Sequence, residues 1–161
     1  MIGRSMHVLF VCTGNTCRSP MAEAIMRQAL QSRGDSRVTV GSAGIGAWEG
    51  GPASEGAYLV ALEHGLDLSA HRARMLTREL VEQADLVLCM SRHHCARVRE
   101  LGGGDKVHLL GEYAGLTGDD AEVNDPFGGD LGSYRETFRD LGRMIETIVG
   151  RLEAERHGDR R

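Results

Sequence analysis

Cys12 and Arg18 stand at the two ends of a C-x5-R spacing in the stretch CTGNTCRSP. A thiol above a helix N-terminus, ringed by backbone N–H groups and close to a guanidinium, ionises more readily than the free side chain with its pKa of about 8.5. Cys12 is therefore expected as a thiolate. Arg18 offers a planar fork of donors that matches two oxygens of a phosphate. The ligand so described is an oxyanion whose central atom sits over the sulfur. The Ser19 hydroxyl can donate to the thiolate while a covalent intermediate forms and breaks, and Asn15 is expected to hold the loop's shape rather than touch substrate. Far downstream, Asp125 precedes Pro126, which restricts the aspartate backbone to an extended shape and fixes the direction of its carboxyl. Cleavage of a phosphate ester by a thiolate needs a proton for the leaving group and later a base for water. Asp125 is the candidate for both.

These groups need elements to position them. His7 to Val11 form a short apolar run suited to a strand covered on both faces. Gly14 and Asn15 tolerate positive φ, so the residues Thr13, Gly14, Asn15, Thr16 and Cys17 can curl with their amides inward as an anion cradle. Ser19 and Pro20 then suit the start of a helix through Met21, Ile25, Met26, Ala29 and Leu30, ending near Gly34. Further strands are expected at Val38 to Val40, Ala84 to Met90 and Lys106 to Leu110. Helices are expected from Pro52 to about His64 with Tyr58, Leu59 and Leu62 inward, from Thr77 to Gln83, and from Ser91 to Gly102. A last one starts at a Ser133/Glu136 capping box. The alternation gives an α/β fold with a four-stranded parallel sheet and helices on both faces, in which ligands bind beyond the carboxyl ends of the strands. Met1 to Met6 reads as an unstructured leader, Gly111 to Asp130 as a long loop that is functional or disordered, and the chain after Leu152 as a fraying tail. No internal repeat or second domain is visible, so residues 1–161 are expected to form one domain.

The stretch CTGNTCRSP and the Asp125–Pro126 pair, in that order and separation, resemble the low-molecular-weight protein tyrosine phosphatase family over nearly the whole chain. The resemblance implies a Rossmann- or flavodoxin-like sheet and hydrolysis of phosphorylated side chains through a phosphocysteine. It also implies that Ser42 hydrogen-bonds Asn15 and that His71 joins the network supporting the loop. From the residues alone, Ser42 reads as a plain turn serine, and His71 equally as a surface residue. Trp48 could wall the cleft or cap the core. Within the family, the position of Thr16 lines the pocket and carries a bulky aliphatic in tyrosine-directed members, whereas protein-arginine phosphatases have threonine. Together with Phe127 in DPFGG, this resembles the arginine-directed branch.

Composition narrows the alternatives. A net charge of −4 argues against general nucleic-acid affinity, and no apolar run is long enough to span a membrane. The four cysteines suit a reducing, cytoplasmic compartment. Substrate is expected to be a phosphorylated protein or peptide, with phosphate or sulfate as the simplest occupant of the loop. No metal or other cofactor is expected, because the cradle supplies the positive potential; adjacent His93 and His94 point in different directions on a helix. A tyrosine phosphatase is the alternative reading. A thioredoxin-coupled arsenate reductase would need Cys89 or Cys95 as relay thiols, and an inactive anion-binding module would bind phosphate without turnover. Cys17 could trap an oxidised Cys12 as a reversible disulfide.

Overall fold

The computed structural model describes residues 5–158. Four parallel strands, β1 (Met6–Cys12), β2 (Val38–Gly44), β3 (Leu86–Cys89) and β4 (Val107–Leu109), lie in the order β2-β1-β3-β4. The helices are α1 (Arg18–Ser32), α2 (Glu55–Glu63), α3 (Arg78–Gln83), α4 (Arg92–Glu100), α5 (Leu110–Tyr113) and α6 (Leu131–Gly158). From β1 the chain crosses to β2 on one side, and β3 then adds on the other. The order thus reverses at β1, and the crevice of such a sheet opens at that strand's carboxyl end. Cys12 ends β1.

Period-two alternation along β1 separates two cores. Val8, Phe10 and Cys12 pack with α1, α2 and α6, whereas Leu9 and Val11 pack with Val81 of α3 and Cys95 and Val98 of α4. Both layers exclude water, since Val8, Leu9, Phe10 and Val11 are each 0% exposed. β1 is therefore anchored on two faces and two edges, a rigid base for the loop that leaves it. Among the described residues no helix is long and apolar enough to cross a membrane.

Several local expectations give way to packing. Met6 belongs to β1 rather than to a leader, because its amide pairs with the Arg37 carbonyl at 2.9 Å; residues 1–4 lie outside the described residues. α2 starts at Glu55 instead of Pro52, because the Ser54 hydroxyl accepts from the Ala57 amide. Its buried face is Ala57, Val60 and Ala61, with Leu59 and Leu62 exposed and Tyr58 half-buried. The small residues let α2 lie close to α6: a Cβ on Gly56 would come within 2.4 Å of the Tyr134 ring. β2 continues through Gly41 to Gly44, so the small residues expected in a loop are strand. The 111–130 segment is not structureless, containing part of α5 and a 3-10 turn at Gly118–Ala121. α6 starts at Leu131, where the Asp130 carboxylate accepts from the Ser133 amide at 2.9 Å in place of a Ser133/Glu136 box. It continues to Gly158 instead of fraying after Leu152, supported by Arg151 lying 3.9 Å over the Tyr113 ring and paired with Glu155 at 2.8 Å.

The Gly56 contact gives a stability prediction. Gly56→Ala forces the Tyr134 ring aside and is expected to lower unfolding free energy by about 1–3 kcal/mol. Gly142→Ala, whose Cβ meets nothing within 4 Å on the same long helix, is expected to raise it by about 0.5–1 kcal/mol. Urea denaturation of the two variants beside wild type checks both signs.

Candidate active site

The loop from Cys12 to Arg18 joins the end of β1 to the start of α1, and its turn is made at one residue. Asn15 has φ 57° and is the only non-glycine residue at positive φ among those described. Gly14, expected to share that role, does not. β2 backs the loop closely, since a Cβ on Gly44 would lie 2.4 Å from the Thr13 carbonyl oxygen and 2.8 Å from the Asn15 nitrogen. The Ile45 and Gly46 amides close the seam, donating to the carbonyls of Cys12 and Thr13 at 3.0 and 2.9 Å.

Asn15 is wholly buried, and its partners hold it in that conformation. Its Nδ2 donates to Ser19 Oγ at 2.8 Å and to Ser42 Oγ at 2.9 Å, while Oδ1 accepts from the Arg74 amide at 2.9 Å. His71 Nε2 donates to its carbonyl at 2.7 Å. Hydroxyls that accept from an amide must point their own hydrogen elsewhere. Ser42 accordingly donates to Glu23 Oε1 at 2.6 Å, and Ser19 Oγ lies 2.8 Å from Cys12 Sγ, with its hydrogen available to the sulfur when that is a thiolate. Ser42 and His71 thus take the network positions that the resemblance implied. Glu23 and the Arg74 backbone complete that network without any sequence signal.

Cys12 sits at the floor of a cleft of about 260 Å³ lined also by Thr13, Gly14, Thr16, Cys17, Arg18, Asp125 and Phe127. Its thiol feels opposed influences. Burial pushes it up, while Ser19, the Arg18 charge and the Asn15 amide, 3.3 Å from the sulfur, pull it down. Burial outweighs these partners and the thiol stands above its ordinary value, so the depressed thiol expected from the motif is not what this geometry gives. The positive end of α1 acts in the lowering direction as well.

Arg18 is buried and aimed by three partners. Nη1 donates to the Val123 carbonyl at 3.0 Å and to Ser91 Oγ at 3.3 Å, and Nη2 lies 3.5 Å from Asp125 Oδ2. The Asp125 carboxylate is half-exposed at the cleft mouth, and its Oδ1 accepts from the Phe127 amide at 3.1 Å. Phe127 stands at the rim, 68% exposed, whereas Trp48 is 87% exposed and outside the residues that line the cleft. Thr16 faces the cleft and its carbonyl accepts from the Ser54 amide at 2.9 Å. The Cys17 thiol is turned towards Ser54 Oγ at 3.2 Å and Tyr134 Oη at 3.5 Å.

His94, whose spacing from His93 argues against a shared metal ion, contacts the loop instead. It is fully buried, its Nδ1 accepts from the Ser91 amide at 3.0 Å, and its Nε2 lies 2.9 Å from Thr13 Oγ1. Burial, with the nearby charges of Arg18 and His93, pushes its pKa down to about 3. Neither ring nitrogen is left to ligate a metal, and no group of three or more His, Cys, Asp or Glu suited to a metal ion occurs among the described residues. A serine three residues before a histidine was the available signal, legible as a helix start but not as a contact with the loop.

The sequence and the fold that carry this cleft are shared with known proteins. The model of the family described as low molecular weight phosphotyrosine protein phosphatase matches residues 7–158. The protein-arginine-phosphatase of Bacillus subtilis strain 168 is 40% identical over 153 residues, which is 94% of this chain and 99% of that protein. The probable low molecular weight protein-tyrosine-phosphatase EpsP of Ralstonia solanacearum is 36% identical over 155 residues, 91% of this chain and 96% of that one. Among solved structures, a cysteine-to-serine mutant of the YwlE arginine phosphatase with a phosphorylated active-site serine superposes with a TM-score of 0.85. It is 38% identical, covering 94% of this chain and 99% of its own. The chain belongs to the low molecular weight phosphotyrosine protein phosphatase family.

Proposed function

We propose that the chain is a cysteine-dependent protein phosphatase directed at phosphoarginine. The observation that carries the reading is a single cleft with the Cys12 sulfur at its floor, Arg18 and Asp125 facing it, and Thr16 in its wall. The Cys12 proton passes to the Asp125 carboxylate and the resulting thiolate attacks phosphorus in line, forming an S–P bond as the P–N bond of phosphoarginine, or the P–O bond of phosphotyrosine, breaks. The loop amides and Arg18 hold the equatorial oxygens, fixed donors that meet the developing charge without reorganising. A phosphoryl group takes over the Arg18 Nη2 that Asp125 shares, leaving the carboxyl to protonate the departing atom. Asp125 then takes a proton from water, whose oxygen attacks phosphorus and displaces the cysteine as a thiolate. Ser19 donates to the sulfur when the negative charge is on it.

The small polar wall at Thr16 and the carboxylate at the mouth suit a planar guanidinium, which Asp125 can both pair with and protonate. The relative named protein-arginine-phosphatase and the phosphorylated serine in the YwlE mutant support the same reading. A tyrosine phosphatase is favoured by the EpsP relative. Arsenate reduction has no such support: Cys89 pairs with Val11 in register and packs on the α3–α4 face, the opposite side of the sheet from Cys12. The described cysteines are all free thiols, consistent with a cytoplasmic setting as part of this proposal.

Turnover of phosphoarginine and phosphotyrosine peptides, measured side by side with Cys12→Ser as blank, tests the reading. Wild type is expected to prefer phosphoarginine, and Thr16→Ile to shift preference towards phosphotyrosine. Preference of wild type for phosphotyrosine would overturn the arginine assignment. Asp125→Ala is expected to lower kcat by about 10²–10⁴-fold on substrates with a basic leaving group, and by much less on p-nitrophenyl phosphate. Since Ser19 lowers the Cys12 pKa, Ser19→Ala should move the midpoint of iodoacetamide alkylation of Cys12 to higher pH.

A further inference from the structure

We propose that Ser91 and His94, at the first turn of α4, form a cross-brace that fixes the Cys12 loop, Arg18 and the Asp125 segment relative to one another, with His94 as a positioning residue. The proposal rests on the phosphatase reading of the cleft.

The hydrogen bonds are directional. The Ser91 amide can only donate, so His94 Nδ1, 3.0 Å away, carries the lone pair. In the neutral ring the hydrogen is then on Nε2, which donates to Thr13 Oγ1 at 2.9 Å. Thr13 immediately follows Cys12, and its residue is exposed, so this contact is what ties its side chain to the protein interior. The opposite end of the loop is held by the same turn, since Ser91 Oγ accepts from Arg18 Nη1 at 3.3 Å.

The turn also holds the strand of chain that delivers the carboxylate. The Arg92 amide donates to Glu122 Oε2 at 2.9 Å, and the Val123 amide donates to the Met90 carbonyl at 2.9 Å. Val123 in turn accepts from Arg18 Nη1 at 3.0 Å, two residues before Asp125. Residues 90 to 94 thus touch the attacking end of the loop, the arginine and the Asp125 segment at once. Their bonds are made to side chains and backbone that no local sequence rule links. Loss of the His94–Thr13 bond frees the first loop residue after the sulfur, where small misplacements are expensive in rate.

The test is a double-mutant cycle. His94→Asn keeps a short amide acceptor for the Ser91 amide but cannot reach Thr13, and Thr13→Val removes the acceptor at nearly constant shape. Each is expected to lower kcat by about 10-fold with KM changed less than about 3-fold. Each should also weaken orthovanadate binding by a similar factor, the double variant should be no worse than either single one, and His94→Gln should recover most of the loss. Thermal unfolding of Thr13→Val should match wild type, so that variant carries the test even where His94→Asn fails to fold. Wild-type kcat and vanadate affinity in Thr13→Val, or losses that multiply in the double variant, would overturn the brace. Vanadate affinity is read by calorimetry without turnover. A wild type that binds vanadate yet cleaves no phosphopeptide therefore refutes the phosphatase reading alone, while the same cycle in vanadate affinity still decides the brace.

Discussion

The site depends on the side chain of one buried asparagine. Asn15 takes a backbone conformation that a residue with a Cβ adopts at some energetic cost, and it does so out of contact with water. Such a conformation persists only when its surroundings over-determine it, and here each polar group of the side chain has a partner from a different part of the chain. The carbamoyl group is a two-sided device: its donor end orders Ser19 and Ser42, and its acceptor end takes the Arg74 amide. Because Asn15 occupies one lone pair of Ser19, a shape-holding residue leaves the serine hydrogen free for the sulfur 2.8 Å away when Cys12 carries the charge. In a region of low dielectric, a network with every member satisfied is rigid, and one lost member exposes the rest.

The sheet supplies the other half of the geometry. A reversal of strand order at β1 leaves the carboxyl end of that strand open, and the positive end of α1 points into the same opening. Backbone approach there is limited by sterics rather than by hydrogen bonding, which is why β2 carries glycine opposite the loop at Gly44. Removing the side chain from one strand lets the adjoining loop pack against it without a void, and the tight loop becomes part of the sheet's core.

Placing the nucleophile in that core has a chemical cost. Burial disfavours the thiolate, and its neighbours recover part of what desolvation removes. The same low-dielectric setting strengthens every donor aimed at a phosphoryl group. A buried sulfur, a buried arginine and a half-exposed aspartate therefore divide the work by environment: fixed charge and fixed donors inside, and the group that must exchange protons with water at the mouth.

The sequence by itself determined the elements of short range. The β-rich run before Cys12, the C-x5-R spacing, the Thr77 and Ser91 helix starts and the parallel α/β class follow from periodicity, capping and local φ/ψ preference, and all are present in the fold. Contacts across long separations were decided by tertiary structure. The Thr13–His94 bond joins residues 81 apart and exists only because β3 lies beside β1, so His94 looked like any histidine on a helix. Glu23 of α1 meets Ser42 only because β2 lies beside β1. The close approach of α2 to α6 and the far end of α6 were likewise set by partners, Tyr134 against Gly56 and Tyr113 beneath Arg151. Spacing along a chain reports which faces a helix or strand presents. Only the order of strands in the sheet determines what those faces meet, and that order is an interaction of the whole chain.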